Sequence, residues 1–124
     1  MTRVLLVDDD VNLAEVLHQG LVEFGFDVMV AYSGNEAMNV LNAGDFDILV
    51  TDMYMSDGGG QQLIGWCVEN KKGLKILGIS GERLDHTITA LDMVEDLGHP
   101  TMTKPFTISE LVAVLKGMLN NQFF

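Results

Sequence analysis

One cysteine, Cys67, is all the chain contains. A lone thiol excludes an internal disulfide and any zinc site built from several cysteines of one chain, and it is expected to be buried or half-buried. No apolar run approaches the roughly 20 residues that a membrane-spanning helix needs. The amino-terminal MTRVLLVDDD turns acidic too soon for a secretory signal. Positive charge is scarce as well: seven Lys and Arg stand against 18 Asp and Glu, a net charge of −11, and after Arg3 no Lys or Arg occurs before Lys71. Direct binding of nucleic acid is disfavoured on such a balance. The glycine-rich stretch has neither G-x-G-x-x-G nor a G-K-[ST] ending, which disfavours a nucleotide-binding enzyme. His18, His86 and His99 are scattered without metal-ligand spacing. Repeats, low-complexity tracts and linkers are missing too, so the 124 residues are expected to form one domain over 1–124. These absences predict a soluble, cytoplasmic chain with no membrane insertion.

What is present is an alternation of short β-branched runs with amphipathic stretches, which argues for βα units and a parallel sheet covered on both faces. Five strands are predicted: Arg3–Val7, Val28–Ala31, Ile48–Thr51, Lys75–Ile79 and a weaker Thr101–Thr103. Strands buried on both faces read as near-continuous apolar runs, as VLLV, DILV and KILGI do. Between them Leu13, Val16, Leu17, Leu21 and Phe24 recur at helical spacing, with Gly25 placed to close that helix. Ser33 with Glu36, and Thr107 with Glu110, fit the capping box. Leu111, Val114, Leu115 and Met118 form one stripe of the last helix, and Gly44, Gly73 and Gly98 fall where helices should stop.

In a doubly wound α/β sheet, ligand chemistry gathers at the carboxyl ends of the strands. The residues at or just past those ends are Asp8 and Asp9, Asp52, Ser80 and Lys104. Crowded carboxylates raise one another's pKa and cost stability unless a positive charge offsets them. A hard cation such as Mg²⁺, with its near-octahedral oxygen ligands, would do so. The competing account of VDDD is a helix start, where Asp caps backbone donors, and Asp10 is assigned there. Asp52 fits either a nucleophile of aspartyl-phosphate chemistry or a third metal ligand. Ser80 and Lys104 could contact phosphoryl oxygens; taken singly, they read as a strand-end turn residue and a solvated lysine.

Together VDDD, LVTDMYM followed by Gly60, ISG and TKPF resemble, in order and nearly in spacing, the CheY-like receiver domains of two-component response regulators, over essentially the whole chain. The resemblance implies a flavodoxin-like (βα)₅ fold, a five-stranded doubly wound parallel sheet in order 2-1-3-4-5. It makes Asp52 the phosphoacceptor. It makes Asp9 a direct Mg²⁺ ligand, Asp8 one acting largely through water, and the Tyr54 carbonyl a further ligand. Ser80 becomes the hydroxyl and Lys104 the lysine that meet the phosphoryl group, with a cis bond to Pro105. The implied partners are a sensor histidine kinase or phosphotransfer protein and a downstream protein target. The chain would be a phosphoacceptor that assists its own phosphorylation and dephosphorylation, not an enzyme. Tyr54 and Glu82 would flank the path of attacking water. Departures from the family pattern are Ser56 in place of a proline, Gly81 in place of alanine, Thr101 in place of the aromatic switch residue, and a Gly98–Lys104 segment one residue short. They bear on transmission of the signal, leaving open an interaction module of receiver fold whose output does not depend on phosphorylation. A small phosphohydrolase is disfavoured because so short a chain has no evident substrate-recognition segment.

Overall fold

The computed structural model describes residues 1–55, 59–81 and 90–120. Five strands, β1 (Arg3–Val7), β2 (Asp27–Ala31), β3 (Ile48–Asp52), β4 (Lys75–Ser80) and β5 (Thr101–Thr103), alternate with α1 (Val11–Glu23), α2 (Gly34–Ala43), α3 (Gly59–Asn70), α4 (Ala90–Asp96) and α5 (Ile108–Leu119). The strands pair in parallel in the order β2-β1-β3-β4-β5. This is the predicted doubly wound sheet, and every predicted strand is present to within one residue at each end.

Alternation along each strand divides the core into two layers. Leu5, Val7, Leu49 and Ile76 pack on one face with Ala37, Leu41, Leu63 and Ile64 of α2 and α3. Val4, Leu6, Ile48, Val50, Leu77 and Ile79 pack on the other with Leu17, Leu21, Leu111, Leu115 and Met118 of α1 and α5. Both faces are covered, so these strands carry apolar residues continuously, and each large aliphatic side chain taken from water contributes about 1.5–3 kcal/mol.

The helix boundaries follow local chemistry. Asp10 caps α1 by accepting from the Leu13 amide at 3.1 Å. Gly25, at φ +94°, follows the end of α1 in the left-handed region, where a side chain would be strained. Thr107 and Glu110 form the full capping box of α5. At α2 only half of the predicted box forms: Ser33 accepts from the Glu36 amide, while the Glu36 carboxylate accepts from Tyr32, one residue before the cap. The predicted stripe of α1 also needs correction. Ala14, Leu17 and Leu21 are the buried positions, whereas Val16 and Phe24 are exposed. Val16 lies two residues past Ala14, on the opposite side of the helix, and Phe24 is already the C-cap.

Candidate functional site

Register brings the strand ends level. Val7 lies beside Ala31 and Thr51, Asp52 beside Ile79, and Ser80 beside Thr103. The residues that follow β1 and end β3 and β4 are therefore neighbours across the sheet, and Lys104 joins them because its amide donates to the Ser80 carbonyl at 2.7 Å. The Lys104–Pro105 peptide is cis.

Asp8 and Asp52 are buried, at 3% and 7% exposure, which is uncommon for carboxylates unless they are paired. Each oxygen has a partner. Asp8 Oδ1 accepts from the Asp10 amide at 2.9 Å and Asp52 Oδ1 from the Tyr54 amide at 3.0 Å. The two remaining oxygens share one ammonium: Lys104 Nζ donates to Asp8 Oδ2 at 3.0 Å and to Asp52 Oδ2 at 3.1 Å. Burial pushes the Asp52 carboxyl above its ordinary range and the charge of Asp8 adds to the rise, while the Tyr54 amide and Lys104 oppose it. For Lys104, burial pulls downward, but its hydrogen bonds to the carboxylates and their charges prevail and hold it above its usual value.

Asp9 is exposed at the rim, and one oxygen from each of Asp8, Asp9 and Asp52 lies within 4.8 Å of the others. Three hard carboxylate donors this close, two of them buried, fit a small divalent cation that takes oxygen ligands. Ser80 ends β4 fully buried, and its Oγ has no hydrogen-bond partner among the described residues. Leaving a buried hydroxyl unmade costs about 1–3 kcal/mol, so this group is open to a partner that the described residues do not supply. Tyr54, directly after the Asp52 turn, keeps 44% of its surface exposed.

Of the predicted site residues, Asp8, Asp9, Asp52, Tyr54, Ser80 and Lys104 stand at the carboxyl end of the sheet; Lys104 joins Asp8 and Asp52 directly, and Asp9 lies beside those two carboxylates. Asp10 is turned away as the α1 cap, as expected. Ser56 and Glu82 lie outside the described residues. Two features escaped the sequence reading. Gly60 packs so tightly on Met53, the residue after Asp52, that a Cβ there would lie 3.0 Å from the Met53 Cα; its amide donates to the Met53 carbonyl at 3.2 Å. Thr101 is not idle: its hydroxyl donates to Glu95 Oε1 of α4 at 3.1 Å. No spacing rule signals either contact.

The chain matches the family model of the response regulator receiver domain over residues 4–116. The transcriptional regulatory protein CusR of Escherichia coli is 28% identical over 118 residues, which cover 94% of this chain and 51% of that protein. The transcriptional regulatory protein TrcR of Mycobacterium tuberculosis is 34% identical over 118 residues, covering 94% of this chain and 45% of that protein. The chain thus spans about half the length of the curated relatives it matches. Among solved structures, response regulator protein TrrA of Thermotoga maritima, in complex with Mg²⁺-BeF, superposes with a TM-score of 0.81 at 27% identity, covering 95% of this chain and 99% of that one. A CheY-like receiver domain protein of Methanospirillum hungatei gives 0.88 at 22% identity, covering 98% and 96%, a likeness of fold.

Proposed function

Because the chain belongs to the response regulator receiver domain family of two-component signalling, we propose that Asp52 takes a phosphoryl group from a sensor histidine kinase or a phosphotransfer protein. The observation that carries this reading is the ammonium of Lys104 held 3.0 and 3.1 Å from the buried carboxylates of Asp8 and Asp52. A positive charge beside the proposed acceptor supports the reading, because it would meet the incoming phosphoryl oxygens.

Receiver domains of this family bind Mg²⁺ at an aspartate cluster, and here the ligands would be Asp8, Asp9, Asp52 and the Tyr54 carbonyl. Bound there, Mg²⁺ would supply neutralisation of charge between the carboxylates and the incoming phosphoryl oxygens. The remaining work falls to the chain. The Tyr54 amide orients the Asp52 carboxylate by holding Oδ1. An Asp52 oxygen attacks phosphorus in line; the bond from phosphorus to the donor's nitrogen breaks, and its electron pair stays with that nitrogen. Lys104 moves from bridging two carboxylates to pairing with a phosphoryl oxygen, and the buried Ser80 hydroxyl gains the partner it lacks among the described residues. Positioning and electrostatics of this kind account for most phosphoryl-transfer catalysis. The chain is thus a phosphoacceptor that assists its own chemistry rather than an enzyme acting on a separate substrate.

The signal would leave through a surface offered to a downstream protein in the cytoplasm, with no direct contact to nucleic acid. Among the described residues no helix is long and apolar enough to cross a membrane. Output independent of phosphorylation is not favoured, because the buried Ser80 hydroxyl, without a partner among the described residues, costs stability that a phosphoryl oxygen would offset. The test is intact-mass measurement after incubation with acetyl phosphate and Mg²⁺. One phosphoryl group should add to the parent and none to Asp52→Asn; equal labelling of the variant would disprove the assignment.

A further inference from the structure

Met53 is the one residue between Asp52 and Tyr54, so a displacement of its backbone is a displacement of the acceptor's own turn. It is held from several sides. Its amide donates to the Ile79 carbonyl of β4 at 2.8 Å, and its carbonyl accepts from the Gly60 amide at 3.2 Å. Its side chain, 1% exposed, lies in the core with Leu63 and Ile64 of α3. The hydrogen bond from the Tyr54 amide to Asp52 Oδ1, 3.0 Å long, spans the same residue. The Asp52 carboxylate and the Tyr54 carbonyl therefore share one support, the place where Met53 rests on the first turn of α3.

That place is closed to a side chain at position 60. A Cβ on Gly60 would lie 2.5 Å from Met53 Cε, 2.6 Å from Sδ and 3.0 Å from Cα. The first two atoms end a flexible side chain and can give way; the third is backbone and must be pushed. Conformation does not call for glycine here. Among the described residues the left-handed glycines are Gly25, Gly73 and Gly98, and Gly60 is not one of them. Gly65, on the same helix, has nothing within 4 Å of its Cβ position. Glycine at 60 thus answers to a contact that Gly65 does not make.

From this packing we infer that Gly60 and Met53 are a positioning pair for phosphoryl transfer, which hold the Asp52 carboxylate and the Tyr54 carbonyl in one fixed geometry. The inference rests on Asp52 as the phosphoacceptor. Phosphoryl transfer depends on in-line placement, where a misplacement of about 1 Å can cost about 100-fold. An octahedral Mg²⁺ site, with oxygens at roughly 2.0–2.1 Å, tolerates little error in the same atoms. Clearing a Cβ from the Met53 Cα takes a shift of a few tenths of an ångström, worth about tenfold in rate. Neither residue touches the reacting atoms; both act through the turn they hold.

The test compares the parent chain with Gly60→Ala, with Gly65→Ala, and with Gly60→Ala combined with Met53→Val. Valine lacks Sδ and Cε, which leaves room for the alanine methyl. Labelling of Asp52 by acetyl phosphate and Mg²⁺ should slow about tenfold in Gly60→Ala, recover to within about threefold of the parent in the double variant, and stay parental in Gly65→Ala. In chelator and without a phosphodonor, the Tyr54 amide resonance should move in Gly60→Ala and return toward its parental position in the double variant. A general loss of stability, followed separately by urea unfolding, would not produce that return. A folded Gly60→Ala with parental labelling and an unmoved Tyr54 amide would overturn the pairing, as would a double variant no better than the single one. If Gly60→Ala does not fold, the double variant should, and failure of both would count against the pairing equally. A parent that takes no phosphoryl group would instead sink the acceptor reading, while the Tyr54 amide in chelator still decides the positioning.

Discussion

Replacing Lys104 with Met keeps most of the apolar stem but removes the ammonium that lies 3.0 Å from Asp8 Oδ2 and 3.1 Å from Asp52 Oδ2. At an effective dielectric of about 20, each contact is a gross attraction of about 5 kcal/mol. The net loss is smaller, because burying the lysine costs energy that the variant no longer spends. Breaking a buried pair and leaving its carboxylates uncompensated typically costs about 3–5 kcal/mol. Lys104 keeps 24% of its side-chain surface in water, which sets the expected loss at the lower end, about 3 kcal/mol. The assay is urea unfolding at neutral pH and low salt, with a chelator present. Added Mg²⁺ should then stabilise the variant more than the parent, since it no longer competes with an ammonium for the same oxygens; a gain of about 1 kcal/mol corresponds to about fivefold in affinity. A loss under about 0.5 kcal/mol in chelator, within the range of ordinary surface substitutions, would refute the reasoning. So would an equal gain from Mg²⁺ in both proteins.

Asp10→Ala should lower stability by about 1 kcal/mol through loss of the α1 cap, yet leave Mg²⁺ affinity unchanged, whereas Asp9→Asn should weaken Mg²⁺; equal losses in a metal titration would make Asp10 a ligand. The Cys67 thiol is pushed up to about 11 by burial. Its contribution to stability is fully present below the unfolded pKa near 9 and is lost as pH rises toward 11, so urea unfolding of the parent should show a steeper decline across that window than Cys67→Ala. Tyr54→Ala should lose its phosphoryl group faster at fixed Mg²⁺ and pH if the half-exposed ring shields phosphorus from water; an unchanged or slower rate would remove that role. A beryllofluoride mimic should shift amides strongly near Ser80 and only modestly near Thr101, and large changes along β5 and α5 would contradict this.

The three inner strands β1, β3 and β4 were legible because both faces of each are buried, so apolar runs such as VLLV and ILV carry the sheet without ambiguity. Helix ends were legible where one side chain decides them, as Asp10 and Thr107 do. The α1 face was misread because Val16 and Phe24 are as apolar as Leu17 and Leu21, and hydrophobicity alone does not reveal that small Ala14 marks the inner side. At the site, the rule that ligands gather at strand ends assembled Asp8, Asp9, Asp52, Ser80 and Lys104 from positions as far apart as residues 8 and 104. It could not reveal that Lys104 bridges Asp8 and Asp52, since a bridge depends on distances of tenths of an ångström. Nor could it show the close packing of Gly60 on Met53, since a glycine in a run of three reads equally well as loop composition.

Thr101 shows how an absence can mislead. Read as a missing aromatic ring, it suggests an empty position on β5; in the structure its hydroxyl ties β5 to the last turn of α4 through Glu95 at 3.1 Å. Both partners reach water, and a neutral donor on an exposed carboxylate contributes about 1 kcal/mol. A phosphoryl group at Asp52 would offer Ser80 and Lys104 charge-assisted hydrogen bonds of about 1.5–3 kcal/mol each. Those two residues are joined by the Lys104 amide to the Ser80 carbonyl at 2.7 Å, so their response arrives at β5 as one movement. The site can therefore outweigh the Thr101–Glu95 bond. What it moves is a small polar contact at the surface, whereas a buried ring would change the packing of two elements. Coupling requires two arrangements that differ in free energy, and a bond that water can replace leaves little difference between them. The modest response expected along β5 follows from that exchange.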